Sequence, residues 1–407
     1  VLGLIASLTM LVWLGPGTDS GAQPVTETRP IAVVADLPTG ARPHVGFAAR
    51  TADLPYGGGP VLHSNRTHLI FWAPAGSGLV FDPGYQSLIE GFLAGVAADS
   101  HKSSSVYGLT GQYRDPGGPA AYASTYAGAI VDSDRLPPSR CTVPPTGPPW
   151  RVCLIDGQLE NEISRVVHRY HLPAGSGDIY FLLTPDGFGS CIDSSSDSCS
   201  LGGDTTGYCG YHSTTEAGLL YAVIPYNAVA GHCQSGRPRP NVSTADPAIS
   251  SLSHEHSETI TDPEGDAWID FRGEEDGDLC ASQFGPDLGG TRASAYNEVI
   301  HGGHYYLQEE WSNRDHSCEP QARPDQAFFT APARAPVHRR VWFSASAQAG
   351  DGEIVAYDWY FGDGGSGHHR LGSHGFPRAG LYRVVLRTVD SWDNWAYYAL
   401  ELSVTPG

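Results

Sequence analysis

The chain has 407 residues, 44 acidic against 24 basic side chains, a formal charge of -20, and 40% hydrophobic and 17% charged residues. This apolar share suits a folded protein of two or three domains and excludes a wholly disordered one. The negative charge disfavours nucleic acid and anionic membranes as partners.

In chain order, the first feature is Val1 to Leu14, an uncharged apolar run broken by Gly15-Pro16-Gly17. It falls short of the ~20 residues a membrane helix needs and reads as the apolar core of a secretory signal. Small residues near Ser20-Gly21-Ala22 supply a cleavage point, and an uncleaved anchor is the alternative. Residues 1–22 are thus signal-like. Residues 23–58, rich in Pro, Gly, Thr and Ala, read as a linker or extended arm. No later stretch is long enough to span a bilayer, so no membrane insertion is expected after signal removal.

The folded part, 59–320, opens with His68-Leu69-Ile70-Phe71-Trp72, an apolar run with the length of a buried strand. Tyr85 to Ala98 places Leu88, Ile89, Phe92, Leu93 and Val96 at helical spacing, and Gln158 to His171 does so with Leu159, Ile163, Val166 and Val167. Asp178 to Leu183, Leu219 to Ile224 and Tyr305 to Gln308 are further strands. This alternation predicts an α/β (or α+β) main domain. All eight cysteines lie between Cys141 and Cys318 without C-x-x-C spacing, which favours disulfides and an extracellular setting over a zinc ribbon. Short loops suggest Cys141 with Cys153 and Cys191 with Cys199, and Cys280 with Cys318 would bracket the end of the domain. Asn65 and Asn241 open glycosylation sequons.

Composition turns Pro- and Ala-rich over 321–336, a linker by this criterion. Beyond it, 337–407 carries short alternating runs between Gly-rich turns and no helical segment, which predicts an immunoglobulin-like β-sandwich.

The chemistry-bearing stretch runs from Asp246-Pro247 to Pro263. Asp246 and Pro247 make a good helix start and Pro263 a good stop. At 100° per residue, Ile249, Leu252, His256 and Ile260 share one side, whereas His254, Glu258 and Thr261 share the other, with Glu255 and Asp262 beside them. His256 is therefore the packing histidine and His254 the ligand candidate. Ligands at i and i+4 project from one helical face onto a metal while the residue after the first ligand activates water. Here that pattern is H-E-x-x-E: His254 and Glu258 as ligands, Glu255 as general base. The further ligand comes from Glu275, Asp278, His301 or His304. Two other readings stand beside a hydrolytic zinc site: a polar face on a surface helix, and a non-catalytic site in which the acidic run 262–278 holds calcium. Gly207 to His212 and Gly231-His232-Cys233 place histidines beside cysteines, where a structural role is expected.

Two resemblances extend this reading. Tyr357-Asp358-Trp359-Tyr360-Phe361-Gly362-Asp363-Gly364 and Gly380-Leu381-Tyr382-Arg383-Val384 resemble the W-x-F-G-D-G and G-x-Y-x-V segments of the polycystic-kidney-disease (PKD) repeat. That family implies a spacer or a surface for extracellular protein or carbohydrate, including cell-wall polysaccharide. Ser253 to Pro263 with Trp268, Glu275, Asp278 and Cys280 resembles secreted zinc-peptidase-like proteins with H-E-x-x-E-x-x-T-D-P and E-x-x-D-x-C, and likewise the EXORDIUM (phosphate-induced) family. By this resemblance Glu275 and Asp278, rather than His301 and His304, join His254 and Glu258 around zinc. The expectation is a secreted zinc metallopeptidase-like protein, the alternative a non-catalytic wall- or surface-associated binding protein.

Overall fold

The computed structural model describes residues 31–32, 53–141, 150–194, 198–200, 207–229, 233, 237–322, 326–348, 353–391 and 395–406; the signal-like segment 1–22 lies outside them. Strand β1 (Ile31–Ala32) is followed by β2 (Asn65–Trp72), α1 (Tyr85–Ala98), β3 (Ser124–Asp132), β4 (Val152–Ile155), α2 (Asp156–Arg169), β5 (Asp178–Leu183), β6 (Phe188–Cys191), β7 (Tyr211–Thr214), β8 (Leu220–Ile224) and α3 (Asp246–Thr261). A six-stranded sheet runs in the order β1-β7-β8-β5-β2-β3. Strands β3, β2, β5 and β8 are parallel, β7 is antiparallel to β8, and β1 pairs with the outer edge of β7.

The central strands are apolar on both faces because helices cover both. Leu69, Phe71, Ile179, Phe181 and Ala222 point into one core, which α1 closes with Ile89, Phe92 and Val96 and α3 with Ile249, Leu252 and Ile260. The alternate residues Ile70, Trp72, Tyr180, Leu182 and Val223 point into a second core, closed by Leu159, Ile163 and Val166 of α2. Each such large apolar side chain contributes about 1.5–3 kcal/mol on burial. The main unit is thus mixed α/β with much strand.

The helices expected over 85–98 and near 158–171 are present, as is the helix ending before Pro263. The surface-helix reading of α3 fails. A surface helix with a wet polar face does not occur at α3, where every residue except Ser251 is buried. Its polar side chains meet other polar side chains instead of water. Asp246 also does something other than capping: its carboxylate turns back to accept from Asn241 and Ser243 backbone N–H groups and the Asn241 amide. Disulfides join Cys141 to Cys153, Cys191 to Cys199, Cys209 to Cys233 and Cys280 to Cys318, which includes all three expected pairs.

After a hairpin of β9 (Glu310–Ser312) and β10 (Ser317–Glu319), eight strands form the C-terminal sandwich: β11 (Gln326–Thr330), β12 (Arg334–Pro336), β13 (Arg340–Gln348), β14 (Ile354–Tyr360), β15 (Ser366–Gly367), β16 (Leu371–Gly375), β17 (Gly380–Asp390) and β18 (Trp395–Thr405). One sheet is β11-β13-β16, the other β12-β18-β17-β14-β15. Trp359 is fully buried between Phe329 and Phe343, its indole N–H donating to His369 O. Gly362 and Gly364 adopt φ of 84° and 94°, and a Cβ on Gly362 would lie 2.7 Å from Arg383 O, so the turn after Phe361 requires glycine. The stretch 321–336 is corrected from linker to sandwich: its Pro and Ala residues conceal β11 and the short edge strand β12, where proline is tolerated. Among the described residues no helix is long and apolar enough to cross a membrane.

Candidate metal centre

Helix α3 carries His254 and Glu258 one turn apart, and their side chains meet: His254 Nε2 lies 2.9 Å from Glu258 Oε1 and 3.6 Å from Asp278 Oδ1. Asp278 reaches them from a short turn after Gly277 that ends at Cys280, so the Cys280–Cys318 disulfide ties this turn to β10. Its backbone N–H donates to Glu258 Oε1 at 3.0 Å. Gly277 is dictated by the crowding, since a Cβ there would stand 2.7 Å from the His254 ring and 2.9 Å from Glu258 Oε1. Glu275 lies beside Glu258 but groups with His212 rather than with His254 and Asp278. Neither of its carboxylate oxygens accepts a hydrogen bond among the described residues, and it is wholly buried.

Sequence reading missed His212. It sits on β7, the antiparallel strand beside the cluster, and is fully buried. Its Nδ1 lies 3.3 Å from Glu255 Oε2 and 3.6 Å from Glu258 Oε2, and its Nε2 is 3.7 Å from Glu275 Oε2 and 3.3 Å from the Asp262 carbonyl oxygen. The expected structural role beside Cys209 therefore understates it. Its only sequence signal is a histidine in a short strand next to a disulfide. His301 and His304 do not enter the cluster: both are exposed, the first bonded to Asp99 and the second stacked on Tyr296.

His256, two residues from His254, faces the first core. It touches Tyr107 OH at 3.2 Å and Asn65 Oδ1 at 3.0 Å, and packs edge-on against Phe181. Burial alone drives its pKa down to about 3, so it is neutral. Both sequon asparagines are engaged as well, Asn65 with His256 and Asn241 with Asp246 and His304 O.

The electrostatics of the cluster follow from charge crowded into a dry place. Burial, with Glu258 adding to it and the two imidazoles opposing, lifts Glu255 to about 7. Burial followed by repulsion from Glu258, Asp262 and Asp278 holds Glu275 well above the ordinary carboxylate range. Burial also acts on Glu258, but His254 and His212 outweigh it and bring that carboxyl down to about 2. Glu310, on β9, is buried with neither oxygen hydrogen-bonded, and burial raises it well above its usual value.

The donor set fits a borderline transition ion better than calcium. Two imidazoles among carboxylates suit zinc or its neighbours, whereas calcium takes oxygen. Bonds of about 2.0–2.2 Å in a tetrahedron put donors roughly 3.4 Å apart, and the 2.9 and 3.6 Å approaches around His254 bracket that value. His254 Nε2, Asp278 Oδ1 and both Glu275 oxygens are buried without hydrogen-bond partners, as ligand atoms should be. Outside this shell, Gln308 Nε2 stands 2.8 Å from His254 Nδ1 and 2.8 Å from Gly277 O. With the amide so placed the ring proton sits on Nε2. Turning the Gln308 amide over gives Nδ1 an acceptor and frees the Nε2 lone pair, at the expense of the Gly277 contact.

Comparison with known proteins speaks to the other end of the chain. The PKD-domain family matches residues 321–395, the segment whose fold is the sandwich described above. The C-terminal unit is a PKD domain. Solved structures similar to it are the PKD1 domain of Vibrio anguillarum Epp (24% identity, TM-score 0.20, 21% of this chain and 100% of that one) and the PKD1 domain of the Vibrio cholerae metalloprotease PrtV (23%, 0.19, 20% and 98%). A third is the PKD domain of an M14-like peptidase from Thermoplasmatales archaeon SCGC AB-540-F20 (17%, 0.19, 21% and 99%). These likenesses cover about a fifth of this chain.

Proposed function

We propose that this protein is an extracellular zinc-dependent hydrolase of the peptidase type, with the PKD domain as an accessory module. The observation that carries the reading is the convergence of His254 Nε2, Glu258 Oε1 and Asp278 Oδ1, with Glu255 on the same helix and Glu275 alongside. His254, Glu258 and Asp278 would hold zinc, and Glu275 stands within the same cluster. Zinc in such a site lowers the pKa of water and polarises a carbonyl. Glu255, buried on the same helix, would take a proton from water and return it to the leaving amine, so that water adds across the C–N bond. His212 Nδ1 stands 3.3 Å from that carboxylate. Four disulfides and a PKD domain accord with an extracellular setting. The substrate would be an extracellular protein or peptide.

One observation favours a second reading, a closed structural centre. His212, Glu255 and Glu275 expose no surface, whereas a catalytic ion keeps an open position. Elemental analysis with a peptide-library digest separates the two. Stoichiometric zinc with cleavage abolished in Glu255→Gln supports the hydrolase; zinc without any cleavage selects the structural centre; absence of zinc overturns both.

A further inference from the structure

Resting on that metal-centre reading, we infer that the site is built for two divalent cations bridged by the Glu258 carboxylate, with His254 and Asp278 serving one and His212 and Glu275 the other. The geometry of Glu258 points to it. Its two oxygens diverge: Oε1 is 2.9 Å from His254 Nε2, and Oε2 is 3.6 Å from His212 Nδ1. Glu258 thus belongs to two triads of possible ligand residues, His254–Glu258–Asp278 and His212–Glu258–Glu275. The triads have the same composition, one imidazole and one terminal carboxylate on either side of a shared glutamate.

The second triad has the features of a ligand shell in its own right. His212 Nε2 lies 3.3 Å from the Asp262 carbonyl oxygen, which can only accept, and 3.7 Å from Glu275 Oε2. With a proton held on Nε2 by that carbonyl, Nδ1 offers a lone pair to a cation beside Glu255 Oε2 at 3.3 Å and Glu258 Oε2 at 3.6 Å, and a backbone carbonyl is a usual partner for the far nitrogen of a metal-bound histidine. Glu275 is fully buried, and neither oxygen finds a hydrogen-bond donor among the described residues. Such a carboxylate is costly to bury unless a cation offsets it.

Glu258, Glu275 and Asp278 are almost entirely inaccessible, and buried carboxylates call for a compensating partner such as a cation. Ions bridged in this way stand about 3.5–4 Å apart, the separation of two-metal hydrolytic centres.

The test uses the full chain, stripped with chelator and reloaded with zinc or manganese. Two zinc equivalents per chain by elemental analysis are expected, falling to one in His212→Gln and to one in His254→Gln. With Mn(II), the wild-type electron paramagnetic resonance spectrum is expected to show a spin-coupled pair rather than isolated six-line signals. A single equivalent in the wild type, retained in His212→Gln, overturns the second site and leaves the hydrolase reading standing. Two equivalents with uncoupled signals overturn the bridge. Zero equivalents overturn both this inference and the reading beneath it. The wild-type count and spectrum decide even if a variant fails to fold.

Discussion

Two histidines on α3, two residues apart and equally buried, have opposite electrostatic fates. His254 stands among carboxylates, which outweigh burial and raise its pKa well above the ordinary value; His256 stands among Tyr107, Asn65 and Phe181, and burial alone takes it to about 3. Desolvation is common to both. The charge of the neighbours decides the direction in which each pKa moves.

The sharpest way to break this contrast is Glu258→Gln, which removes the carboxylate both His254 and His212 face. Metal content should fall to zero, and stability by roughly 3–5 kcal/mol, the usual loss on breaking a buried pair; a urea titration with elemental analysis checks both. His256→Gln should cost about 1–3 kcal/mol through its two hydrogen bonds yet leave metal content intact. If it removes metal, the division of the helix is wrong. Gly277→Ala places a methyl against the His254 ring and should lose metal with roughly 1–3 kcal/mol of stability. Gln308→Leu withdraws the amide behind His254 Nδ1 and should weaken metal affinity by about 10–100-fold, measured by competition with a chelating dye. The smallest effect is remote from α3. Burial opposes ionisation of Asp178, but Arg66 and His68 outweigh it and lower its pKa to about 2. A depressed carboxylate pKa contributes stability above its unfolded value of about 3.9, lost as pH falls through that value toward 2. Asp178→Asn should remove this acid-limb dependence while metal content stays unchanged.

Much of this architecture is legible in the sequence, for stated physical reasons. Apolar runs such as Asp178 to Leu183 announce central strands because both faces are covered, and the spacing of Ile89, Phe92 and Val96 announces α1. The phase of α3 correctly separates His254 from His256. What stays hidden is long-range. His212 comes from a four-residue strand with no periodic signal, and Gln308 acts only through a contact to His254. The burial of α3 is hidden for another reason: Ser, His, Glu and Thr in a helix imply water until the polar partners supplied by β7 and by residues 275–278 are known. Proline and alanine over 321–336 mask two strands because edge strands tolerate residues that interior strands do not.

The position of Gln308 and of Cys318 has a consequence for how the protein is made. The clustered side chains come from 212, 254–258 and 275–278, but Gln308, which contacts His254, and Cys318, which anchors the Asp278 turn, arrive later in synthesis. A nascent chain ending before them holds the cluster without these supports. On the proposed reading, metal uptake would follow emergence of the chain past Cys318 and closure of its disulfide.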